Sequence, residues 1–147
     1  MDESLIQQLE AQRPSFKREW ETLLRTEPTL SPLGNPDTLV FMMDETLSDL
    51  IKGLRRREQK HQAVNPRSLL VPLQRHCECG MNPLLTYYAT GELAVHLVAG
   101  NVLKQEVELD ETLACYHTLA MRELHMLCAV CQHRQSGSGP SHPPLRR

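Results

Sequence analysis

Five cysteines are the residues of this 147-residue chain best suited to chemistry: Cys77, Cys79, Cys115, Cys128 and Cys131. Four of them form two close pairs, Cys77-x-Cys79 and Cys128-x-x-Cys131. Two pairs of thiols, each supplied by a short segment, suit a tetrahedral Zn²⁺ site of four thiolates. The Cys-x-x-Cys spacing is the ordinary zinc half-site. The other pair is one residue shorter, and Gly80 beside it frees the backbone to adapt. An iron–sulfur cluster also takes four thiolates, but neither ferredoxin spacing occurs here. A redox disulfide needs a thiol with a lowered pKa. Cys128 and Cys131 fall at the C-terminal end of a predicted helix, where the negative end of the dipole opposes a thiolate. A bound cation forces deprotonation itself and removes that objection.

Zn²⁺ is therefore the expected cofactor, with Cys77, Cys79, Cys128 and Cys131 as metal ligands. An iron–sulfur redox or iron sensor at the same cysteines is the alternative, and four unligated thiols that happen to meet is the bland reading. Four thiolates on Zn²⁺ carry a net charge of about −2, which Arg75, His76, His133 and Arg134 can offset in part. His76 or His133 can also replace one cysteine, and His125, three residues before Cys128, is a weaker substitute. Cys115 lies roughly 20 Å along the same helix from Cys128 and reads as a small buried apolar side chain.

Enzymatic constellations are scarce. There is no Gly-rich phosphate loop, Gly-x-Ser-x-Gly elbow or His-Glu-x-x-His run. Glu92 and His96 stand four apart on a predicted helix, a spacing that ordinarily makes a helix-stabilising contact. No catalytic residue is assigned. Met42, Met43, Met81, Met121 and Met126 are expected to fill gaps in the core, and a small-ligand or enzymatic pocket between helices is a further alternative.

The elements that position these residues are helical, since no segment shows sustained strand alternation. The first helix starts at Ser4, where Ser4 and Gln7 make a capping box. Leu5, Ile6, Leu9, Phe16, Trp20, Leu23 and Leu24 form its stripe. Pro14 predicts a kink or restart near Arg13, and the helix stops before Pro28. The second has Asn35 as N-cap, Pro36 in the first helical position and Asp37 at the positive end of the dipole. It runs to about Glu58 on a stripe of Val40, Met43, Leu47, Leu50 and Leu54. Arg55, Arg56, Arg57 and Lys60 gather at its end. They read as cations at the negative dipole end and a solvated face rather than a phosphate or nucleic-acid contact, since no aromatics are interleaved.

Residues 60 to 81 form a connector broken by Asn65-Pro66 and Pro72, apolar enough to pack on the bundle. The third helix covers about Pro83 to Lys104, with Asn82 as cap and Leu84, Tyr88, Gly91, Val95, Val98 and Val102 as its stripe. Gly91 within that stripe lets a neighbouring helix come close. After a turn near Gln105 to Leu109, Asp110 caps a fourth helix over about Glu111 to Gln132. Its buried side holds Leu113, Tyr116, Ala120, Leu124, Leu127 and Cys131. Two helices of equal length joined by a short turn form an antiparallel hairpin, so the start of the third sits beside the end of the fourth and the four thiols converge there.

The expected fold is all-α: a four-helix bundle-like single domain over residues 1–134, its C-terminal hairpin closed by the four-cysteine metal site. A disordered tail follows over residues 135–147, rich in Ser, Gly and Pro. With 16 basic and 18 acidic side chains the net charge is −2. That leaves no general field for nucleic acid or an acidic membrane. The acidic, polar N-terminus lacks the regions of a secretory signal, and no apolar run approaches the roughly 20 residues of a membrane span, so the expected setting is cytoplasmic. The expected function is a non-enzymatic zinc-binding helical module, a regulatory or protein-interaction domain. It would bind a protein partner or a small regulatory ligand, with neither nucleic acid nor membrane as partner. An exposed stripe on the kinked first helix would support a homodimer.

Overall fold

In a computed structural model, residues 1–27, 35–60 and 84–130 are described, with side chains through Arg57 in the second stretch and Met126 in the third. Their regular elements are all helical, with no strand among the described residues: α1 (Glu3–Ala11), α2 (Arg13–Thr26), α3 (Pro36–Leu39), a 3₁₀ turn (Val40–Met42), α4 (Met43–Lys60), α5 (Leu84–Val102) and α6 (Glu106–Val130).

Asp2, rather than Ser4, starts the fold. Its carboxylate accepts from the Leu5 amide at 3.0 Å and caps α1, which leaves Ser4 inside the first turn. A charged acceptor at the positive helix end makes a stronger cap than a hydroxyl. Pro14 acts as the sequence predicts: α1 ends at Ala11, Gln12 bridges, and α2 restarts with the proline in its first turn, where the missing N–H costs nothing. Ile6, Leu9, Phe16, Trp20 and Leu24 are buried, with Leu5 and Leu23 packed at the margin. The apolar stripe of these two helices thus faces the core. Among the described residues, the exposed large apolar side chains are Phe41, Leu93, Leu97, Val107, Met121 and Met126, none of them on α1 or α2. Met121 and Met126 therefore do not fill core, whereas Met43 does.

Asn35 caps α3 through the Asp37 amide at 2.9 Å, as expected. The helix that follows is not continuous, since Val40–Met42 tightens into a 3₁₀ turn before α4. No proline or glycine marks that junction. Thr46, in the first turn of α4, reaches back to it and donates to the Met42 carbonyl at 3.1 Å. A hydroxyl has one proton, so at 2.8 Å it accepts from the Tyr87 hydroxyl.

The α5–α6 hairpin is antiparallel. The Tyr116 hydroxyl donates to the Tyr88 carbonyl at 2.7 Å, His117 meets Glu92, and Leu109 lies against Gly100. The turn is tighter than predicted. Only Leu103–Gln105 separates the helices, α6 begins at Glu106, and Asp110 lies within it. Glu106 and Glu108 in the first turn complement the dipole there, making Asp110 unnecessary as a cap. α5 is buried well beyond a stripe: Tyr87, Ala89, Thr90, Ala94 and Ala99 are inside along with Tyr88, Gly91, Val95 and Val98. It is the central helix, with α2 on one side and α6 on another.

Gly91 explains how α5 can be central. A Cβ there would lie 2.1 Å from the Tyr116 hydroxyl oxygen and 2.5 Å from Cζ2 of Trp20. The missing side chain exposes helix backbone to both rings. Trp20 Nε1 donates to the Tyr87 carbonyl at 2.9 Å, one residue from where Tyr116 donates. The single tryptophan and all three tyrosines of the chain meet here. Trp20 and Tyr87 centroids are 4.6 Å apart, and Trp20 and Tyr116 pack edge-on at 6.2 Å. Such pairs add to their area burial, and the Trp20 and Tyr116 tips bond backbone while the Tyr87 hydroxyl bonds Thr46.

Candidate functional site

The side chains of the four expected metal ligands lie outside what is described: Cys77, Cys79 and Cys131 are not among the described residues, and Cys128 is described only as helix backbone. His76, His133 and the tail 135–147 lie outside it as well. Among the described residues, no group of three or more His, Cys, Asp or Glu side chains is arranged to hold a metal ion. What the hairpin supplies is register. Tyr88 pairs with Tyr116 and Gly100 with Leu109, so α6 runs back along α5 and continues past its first residue, Leu84.

Cys115 is buried, as its position predicts, with its Sγ 3.8 Å from the Leu50 carbonyl. Burial pushes the thiol up to about 11, which holds it protonated and unreactive. It marks the crossing of α4 and α6, where a Cβ on Gly53 would lie 2.7 Å from that sulfur. Burial likewise raises all three tyrosine hydroxyls above their ordinary range, Tyr88 to about 12.

The Glu92–His96 pairing does not form. Glu92 turns to α6 and meets His117 Nδ1 at 3.3 Å, while His96 faces solvent. A partner on a packed neighbouring helix wins because both side chains are half-buried there. The contact ties the hairpin together. Between α1, α2 and α4, the space beside Leu9, Phe16 and Leu47 is only about 10 Å³, about one water at most, so no ligand pocket opens there.

The arginines at the end of α4 divide into two roles. Arg55 reaches α1, bonding Glu3 at 2.9 Å and Glu10 at 3.2 Å, and its guanidinium holds the Glu3 carboxyl below the usual range. Arg56 and Arg57 turn the other way, toward α6. With Arg122 and Thr118 they line a cleft of about 210 Å³ whose lining also includes Cys115. Sequence reasoning missed Arg122 because only helix packing brings it within reach of residues 65 positions earlier in the chain.

Among the described residues, no helix is long and apolar enough to cross a membrane. Comparison with protein families, with curated proteins and with solved structures finds no match to this chain.

Proposed function

We propose that the chain is a non-enzymatic, zinc-binding helical module that acts by binding another protein or a regulatory ligand. Cys77, Cys79, Cys128 and Cys131 are its four thiolate ligands. The observation that carries this reading is the antiparallel register of α5 and α6. Cys128 lies 12 residues beyond Tyr116, or about 18 Å along the helix, on the side from which the chain enters α5. Cys79 precedes Leu84 by five residues, and five residues reach at most about 17 Å. The two pairs are therefore within reach of one another. Four thiolates complete a tetrahedron and leave no open position for substrate water, and the buried thiol and tyrosines offer no nucleophile.

The test is elemental analysis with a visible spectrum on full chain purified anaerobically without chelator. One zinc per chain and no colour is the expected result. The clasp would close a loop of about 50 residues, so chelation lowers stability by about 4 kcal/mol, as a cross-link of that span would. Replacing Cys128 and Cys131 by serine empties the site, and replacing Cys115 does not. Iron with sulfide would make the chain a redox or iron sensor instead, and absence of metal would end the zinc reading.

A further inference from the structure

Arg57 is the starting point. Its Nη2 donates to the Thr118 hydroxyl at 3.3 Å, and that hydroxyl spends its own proton on the Ala114 carbonyl at 2.9 Å. The neighbouring Nη1 is buried and, among the described residues, has no hydrogen-bond partner; it is the side-chain nitrogen or oxygen of which that is true. A desolvated cationic donor without an acceptor is costly, and elsewhere among these residues the buried polar atoms are paired. Nη1 is closed off as it stands, and a small turn of the guanidinium would present it to an acceptor entering the cleft that Arg57 lines.

The surroundings say what kind. Arg57 lines the cleft between α4 and α6 with Arg56 and Arg122, against one carboxylate, Asp49. Three guanidiniums and one carboxylate leave an excess of two positive charges. Among the described residues, Arg122 has an exposed contact with its neighbour Glu123 at 3.8 Å, which is worth little and is easily exchanged. A phosphate monoester carries about −1.5 to −2 charges and three acceptor oxygens, which matches both the excess charge and the forked donors. The size agrees. At about 210 Å³ the cleft is smaller than the roughly 300–1,000 Å³ of pockets that enclose a whole small molecule, so it suits a single phosphate group. Its floor is the neutral Cys115 thiol, and Gly53 leaves room for it.

We propose that the α4–α6 cleft binds the phosphate group of a phosphate monoester, held by Arg56, Arg57 and Arg122. The group arrives on a phosphorylated side chain of a partner protein or on a small phosphorylated metabolite. The site uses α4 and α6 side chains alone and does not depend on the thiolate clasp.

The experiment is a titration of the ¹⁵N-labelled full chain with inorganic phosphate at constant ionic strength, following backbone amides and arginine Nε–H resonances. Saturable shifts at Arg56, Arg57, Thr118 and Arg122 are expected, with none at Arg18 on α2. Arg57→Lys keeps the charge but loses the fork, and weakens binding by about tenfold or more. Arg122→Ala, at an exposed position, does likewise and serves if the first variant does not fold. Phosphoserine in a short peptide binding more tightly than inorganic phosphate assigns the ligand to a protein; a sugar phosphate doing so assigns it to a metabolite. Shifts that do not saturate, that chloride reproduces, or that both variants leave unchanged would overturn the proposal.

Discussion

At the scale of single residues, Gly91 decides more than any side chain around it. Its position in an apolar helical stripe reads as a point of close approach, but the sequence does not say what approaches. Two rings do so at once, Trp20 from α2 and Tyr116 from α6. Neither can yield cheaply, because the indole N–H is bonded to the Tyr87 carbonyl and the phenol to that of Tyr88. Gly91→Ala must displace a rigid ring and break one of these bonds. We expect a cost of about 3 kcal/mol despite the gain in helix propensity, at the upper end of ordinary overpacking. Urea unfolding measures the cost, and near-ultraviolet circular dichroism should change with it as the aromatic cluster is disturbed. An unchanged unfolding midpoint would mean that α2 and α6 do not meet over α5.

At the scale of helices, α4 and α6 cross where Gly53 faces Cys115. A methyl at Gly53 overlaps the sulfur, so Gly53→Ala alone should cost about 1–2 kcal/mol. Removing the sulfur as well makes the room, and alanine then favours the α4 helix over glycine. The double variant with Cys115→Ala is expected to lie near wild type, giving a coupling of at least about 1 kcal/mol in a double-mutant cycle. Additive effects would place the two helices apart. Element boundaries show where local rules stop. Asn35 marks a helix start through its side-chain cap and Pro14 through its fixed backbone, and both are read correctly. The start of α6 is misread because Asp110 resembles a cap, while the chain turns five residues earlier at Leu103–Gln105. Glu92 is misread for a related reason: helical spacing offers His96, and the neighbouring helix offers His117.

At the scale of the whole molecule, burial of weak acids sets an alkaline limit. Cys115 is held up to about 11 from an ordinary value of about 9, and Tyr88 up to about 12 from about 10. Both are raised, so their contribution is fully present below the unfolded values. It is lost as pH climbs toward the folded ones, because the unfolded chain sheds protons that the folded chain keeps. Stability should therefore fall between pH about 9 and 11, with Cys115 responsible for about 2–3 kcal/mol of the decline. Urea midpoints at intervals across that range check it. The Cys115→Ala variant should show a shallower decline, and identical slopes would refute the assignment.

The sequence by itself determined the all-helical class, the break at Pro14, the cap at Asn35, the α5–α6 hairpin and the burial of Cys115. Each follows from short-range backbone chemistry or from periodicity, which act within a few residues along the chain. Tertiary structure alone decided that α5 is central, that Trp20 and Tyr116 share the space above Gly91, that Glu92 pairs with His117, and that Arg55 parts company with Arg56 and Arg57. These depend on which helix faces meet. Partners such as Trp20 and Tyr87, 67 residues apart, come together through packing of the whole core, which no local pattern encodes.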